Sequence, residues 1–147
     1  MEAIHRYITF YIPEGISMAE KFPGIEDLFR ELKSRGYKIG LATMMEESYA
    51  KKTLDDYGFT EMFDSIKGAS LEIALSKYDL IMDCMKETGV SPEETIMIGD
   101  GEDDYNSAVK ADVRFIAATY GYGIDKQYCS DKKIEYIEQP LDLLNLL

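Results

Sequence analysis

From Pro23 onward, amphipathic helical patterns alternate with short apolar runs, and this alternation confines the chain to an α/β fold built on a parallel sheet. PGIEDLFRELKSRG places Ile25, Leu28, Phe29 and Leu32 at helical spacing between Pro23 and Gly36. The run KIGLAT that follows reads as a buried parallel strand. The unit then repeats. EESYAKKTLDDYG predicts a helix stopped by Gly58, with a short strand around Asp64 to Lys67. SKYDLIMDCMKETG predicts another helix with Ile81, Cys84 and Met85 facing inward, then a Ser91-Pro92 turn and the strand TIMIGD. An acidic loop, a helix around Tyr105 to Ala111, the strand RFIAAT, a GYG loop, a short KIEYI strand and a C-terminal helix in LDLLNLL complete the order. The expected fold is a doubly wound, Rossmann-like α/β sheet.

In such sheets ligands bind outside the carboxyl ends of the strands. Thr43, Asp100 and Thr119 fall at predicted strand ends, so folding brings together polar groups that are distant in sequence. GDGEDDYNSA is the most informative stretch, because an apolar strand ends in Gly99-Asp100 and a second carboxylate, Asp104, follows four positions later. Carboxylate oxygens at a strand end suit a hard cation such as Mg2+, which keeps several waters and takes few protein ligands. Asp103 or Asp104 capping the next helix is the competing reading. A hydroxyl at Thr43 suits a phosphoryl oxygen at a helix start, and equally suits a helix cap. Lys77 opens a helix, where its charge opposes the helix dipole; a nearby anion gives it a reason to be there, a solvated lysine being the plainer alternative.

The 147 residues carry 28 acidic against 16 basic side chains, a formal charge of −12. That balance disfavours nucleic acid and anionic membrane surfaces as partners, and it requires a local cation wherever a phosphate is to be held. Cys84 and Cys129 form no CxxC pair, His5 is single, and no stretch approaches the roughly 18 apolar residues of a membrane span. The expectation is one cytosolic domain.

Together these stretches resemble the haloacid dehalogenase-like (HAD) superfamily, within it the phosphoglycolate-phosphatase-like members with a helical cap. FPGIEDLFRELKSRGYKIGLAT is similar to the helix and strand leading to that family's second motif, with Thr43 as its hydroxyl residue. FDSIKGASLE and SKYDLIMDCMKETGVSPEETIMIGDGEDD resemble the third and fourth motifs, with Lys77, Asp100 and Asp104 at the matching positions. ATYGYG is similar to the loop that follows. The resemblance implies that Thr43 and Lys77 hold a phosphoryl group, that Asp100 and Asp104 bind or orient Mg2+, and that a small phosphorylated molecule is the substrate.

One part of the pattern is missing. The family's chemistry starts from an aspartate nucleophile in a DxD motif on the first strand, and the only aspartate upstream of Thr43 is Asp27, within the helix predicted over residues 24 to 35. Met44 and Met45 stand where the family carries small polar or basic residues. Residues 1–21 resemble the end of the cap domain and its linker, and residues 22–147 the C-terminal part of the core. The sheet is therefore expected to lack its first central strand, which the resemblance places between KIGLAT and TIMIGD. Filling by RYITFYI (residues 6–12), direct pairing of the two flanking strands, or exchange in a homodimer or with a complementing chain are the expected remedies. The chain is expected to bind Mg2+ weakly and to be inactive alone, or else to be a non-catalytic remnant that binds Mg2+, a phosphorylated ligand or a protein. A phospho-receiver domain uses similar residues in another order, with its acidic cluster early, whereas Thr43 and Lys77 here precede Asp100.

Overall fold

The computed structural model describes residues 7–9 and 23–147. Among the described residues six strands form one sheet: β1 (Tyr7–Thr9), β2 (Lys38–Glu46), β3 (Ser65–Ala69), β4 (Thr95–Gly99), β5 (Arg114–Ala118) and β6 (Glu135–Ile137). The described helices between them are α1 (Ile25–Ser34), α2 (Glu47–Asp56), α3 (Lys77–Thr88), α4 (Glu102–Lys110) and α5 (Lys126–Lys132). Every pairing is parallel, and the strand order is β3-β2-β1-β4-β5-β6. The predicted doubly wound α/β fold is therefore the fold observed. Its order reverses direction at β1, and that is the switch point where such sheets bind ligands.

Strand β1 takes the central position between β2 and β4. Tyr7, Ile8 and Thr9 stand opposite Lys38, Ile39 and Gly40 on one side and Thr95, Ile96 and Met97 on the other. Of the expected remedies, strand formation within residues 6–12 is the one seen, whereas β2 and β4 do not pair directly. The remaining residues assigned to the cap remnant, 1–6 and 10–21, lie outside the described residues.

Alternation along the strands supplies two cores. Ile39 and Leu41 of β2, Ile96 and Ile98 of β4, and Ile116 and Ala118 of β5 face α1 and α2, where they meet Leu28, Phe29, Leu32, Ala50 and Leu54. The intervening Ala42, Met97, Phe115 and Ala117 pack against α3 and α4 through Leu80, Ile81, Cys84, Met85 and Ala108. A sheet covered on both faces needs apolar side chains at every position, which is why TIMIG is buried throughout.

Local differences from the sequence reading have identifiable causes. The strand read as ending at Thr43 continues to Glu46, because β3 pairs again at Glu46–Ala69 after a register shift. The last segment, Pro140–Asn145, is a 3-10 turn rather than an α-helix. Helix α5 was not anticipated: of its seven residues only Cys129 is buried, so it carries no apolar stripe. Its signal is the cap, since the Asp125 carboxylate accepts from the Tyr128 amide at 2.8 Å. Among the described residues no helix is long and apolar enough to cross a membrane.

Candidate active site

At the carboxyl edge of the sheet, Thr43, Met44, Met45, Lys77, Asp100, Asp103, Asp104, Tyr122 and the loop glycines line a cleft of about 380 Å³. Thr9 stands opposite both Gly40 and Met97, and Thr43 and Asp100 each lie three residues beyond those partners. The two therefore stand at the same level with one strand position between their strands, about 10 Å apart across the sheet. A larger depression of about 580 Å³ beside α1 and the Thr60–Met62 turn is lined by surface residues such as Arg30, Asp55 and Glu61, and contains none of the strand-end groups.

Thr43 is buried, and its Oγ1 accepts from the Met45 amide at 3.1 Å. This contact leaves the hydroxyl hydrogen to donate into the cleft. Thr43 is not a helix cap: α2 begins at Glu47, and Glu46 accepts from the Ser48 and Tyr49 amides.

Lys77 occupies the first turn of α3 behind a capping box in which Ser76 and Asp79 satisfy each other's amides. Its side chain is buried rather than solvated. Nζ lies 3.1 Å from Asp104 Oδ1, with both side chains under 10% exposed, and donates to the Ala42 carbonyl at 3.0 Å. An ammonium has three donors, so among the described residues one remains for the cleft. Asp104 takes the helix-capping role of its two sequence readings and adds an ion pair. Its Oδ2 accepts from the Gly101 amide at the start of α4 at 3.1 Å, while Oδ1 faces Lys77.

Asp100 is also buried, and its Oδ2 accepts from the Tyr122 amide at 2.9 Å. Burial pushes its carboxyl above the ordinary aspartate range; the Tyr122 hydrogen bond opposes that shift, and the Asp104 charge adds to it. Burial, followed by the Asp100 charge, also raises the Tyr120 phenol well above its usual value. Three carboxylates and one ammonium thus line a cleft that would gain from a cation. Asp100, held at a strand end with room in front of it, fits a hard ion that keeps most of its waters. Among the described residues, no three His, Cys, Asp or Glu side chains come together as a metal cage.

The fold brings Thr43, Lys77, Asp100 and Asp104 into one cleft, but not Thr119. The Thr119 amide and hydroxyl both donate to the Ile137 carbonyl, which ties β5 to β6. The sequence reading missed the Ala42 carbonyl and the Tyr122 amide as partners; main-chain groups leave no mark in residue identity.

The description of haloacid dehalogenase-like hydrolases matches residues 1–118. The chain belongs to that family. Tyrosine-protein kinase PtkA of Mycobacterium tuberculosis is 30% identical over 123 residues, covering 83% of this chain and 42% of the relative. Phosphoglycolate phosphatase 1 of Pseudomonas aeruginosa is 29% identical over 130 residues, covering 87% and 47%. This HAD chain thus spans about half the length of the curated relatives it matches. Among solved structures, a haloacid dehalogenase-like hydrolase from Streptococcus pneumoniae superposes with a TM-score of 0.80 at 31% identity, covering 90% of this chain and 62% of the other. A predicted phosphatase from Clostridium acetobutylicum gives 0.79 at 31%, covering 89% and 61%.

Proposed function

We propose that the cleft is the phosphoryl-holding half of a Mg2+-dependent phosphomonoesterase site, and that the 147-residue polypeptide does not complete that site alone. The carrying observation is the convergence of Thr43, Lys77, Asp100 and Asp104 at the carboxyl ends of the strands flanking the switch point. The Thr43 hydroxyl and the free donor of Lys77 bind phosphoryl oxygens. Asp104 holds Lys77 in place, and Asp100 offers an oxygen to Mg2+. When bound, the ion supplies positive charge against the developing charge on the phosphoryl group. Relatives named as phosphatases and as a kinase both handle phosphoryl groups, which supports the class but not a particular substrate. The reading places the chain in the cytosol, with a complementing polypeptide as the source of the nucleophile.

The nucleophile is the missing element, because no aspartate precedes Asp27, and Asp27 is exposed on α1 near Arg30. A second reading, a non-catalytic binder of Mg2+ or a phosphorylated ligand, is favoured by one observation: β1 already pairs with both flanking strands, so an incoming nucleophile strand would have to displace it. Both readings expect no turnover of small phosphate esters by the purified chain with Mg2+, weak Mg2+ binding, and phosphate-induced NMR shifts at Thr43 and Lys77. Robust hydrolysis abolished by Asp100→Ala would refute incompleteness. Hydrolysis gained on adding a polypeptide that carries a DxD strand would decide for the first reading.

A further inference from the structure

We infer that the loop Tyr120–Gly123 is a positioning clamp that restricts Asp100 to a single oxygen towards a cation, and thereby selects Mg2+ over Ca2+. The inference rests on the proposed role of Asp100 as a cation ligand. Its own basis is the way the loop meets that residue. Tyr122 donates its amide to Asp100 Oδ2, and Ile124 donates its amide to the Asp100 carbonyl, so the loop grips side chain and main chain together.

The two loop glycines are there for space. Neither is among the glycines with left-handed backbone, which are Gly24, Gly36, Gly58 and Gly89, so conformation does not demand them. Close approach does. A Cβ on Gly121 would stand 2.4 Å from both Cβ and Oδ2 of Asp100, and one on Gly123 would meet the Asp100 carbonyl oxygen. Any other residue at position 121 pushes the loop off Asp100 or turns the carboxylate.

With Oδ2 turned into the loop, Oδ1 is the oxygen left for a cation. Mg2+ accepts one oxygen per carboxylate in a tight octahedron, whereas Ca2+ has six to eight positions and readily takes both oxygens of one carboxylate. A clamp that holds Asp100 to one oxygen withholds from Ca2+ a contact that Mg2+ does not need. Tyr122 acts through its main chain, and its ring, which is 81% exposed, takes no part.

The test is Mg2+ and Ca2+ binding to the full chain, followed by NMR titration, for wild type, Asp100→Ala and Gly121→Ala. The wild type is expected to prefer Mg2+, and Gly121→Ala, which frees the second Asp100 oxygen, to gain in Ca2+ affinity relative to Mg2+, so that the ratio of Mg2+ to Ca2+ affinity falls by about 10-fold or more. A merely structural role would weaken both ions equally, and that result would overturn the clamp alone. Should Gly121→Ala fail to fold, the wild-type Tyr122 amide decides: it stays hydrogen-bonded as Mg2+ saturates the site, and its release on Mg2+ binding would overturn the proposal. Mg2+ binding that is absent, or that survives Asp100→Ala unchanged, would refute the cation-ligand reading of Asp100 and the clamp with it.

Discussion

Replacing Lys77 by methionine tests whether the candidate site is held by a buried ion pair. Methionine keeps the apolar stem of lysine and removes only the ammonium, so packing against α4 is largely retained. What is lost is the 3.1 Å contact with Asp104 and the 3.0 Å hydrogen bond to Ala42. Removing one member of a buried pair costs about 3–5 kcal/mol, because the other charge stays buried without its partner. Two features reduce that figure here. The pair lines an open cleft, so water reaches Asp104, and the variant removes a positive charge from a helix start, which returns about 0.3–1 kcal/mol. The net expected loss is about 2–3 kcal/mol, or roughly 4–12 °C in Tm for a chain of this size. The assay is urea unfolding followed by circular dichroism, since the chain has no tryptophan. Adding Asp104→Asn should recover at least about 1 kcal/mol relative to the sum of the two single changes, because the asparagine oxygen still accepts from the Gly101 amide. A Lys77→Met chain as stable as wild type within about 0.5 kcal/mol would refute the burial reasoning.

Asp100→Asn is expected to stabilise the chain at neutral pH by about 1 kcal/mol. Burial raises the folded-state pKa of Asp100, so its contribution to stability is full below the unfolded pKa and is lost as pH rises through the folded one. The advantage of the asparagine should therefore vanish in acid and grow through the carboxylate range upward; equal stability of the two chains at pH 3 and pH 7 would count against the raised pKa. Gly68→Ala should cost about 1–3 kcal/mol in thermal melts, because its Cβ would lie 2.5 Å from Glu47 Cα and 2.6 Å from the Met45 carbonyl oxygen, both main-chain atoms. An unchanged Tm would mean that β3 does not approach the start of α2 so closely.

The residues themselves specify most of the local structure. Apolar periodicity marks α1 to α4 and strands β2, β4 and β5, since the same side chains that repeat in sequence must find a buried face. The strand-end positions of the site were legible for a related reason: in a parallel α/β sheet the polar residue after an apolar run lies at the carboxyl edge. Residue identity also established that no aspartate precedes the second motif except Asp27. Helix α5 was illegible because one buried cysteine makes no pattern.

Only the tertiary structure decided how these pieces meet. That three residues of β1 pair with both β2 and β4 follows from hydrogen bonds between segments tens of residues apart, which no local periodicity encodes. Lys77 reads in sequence as a misplaced charge at a helix start, and its reason, Asp104, arrives from the next helix. Gly121 reads as part of a turn, yet its backbone has no need of glycine; the need appears when β4 and the loop after β5 bring Asp100 against it. Sequence determines which groups are available, while their pKa values, partners and free donors depend on contacts that exist only once the sheet is assembled.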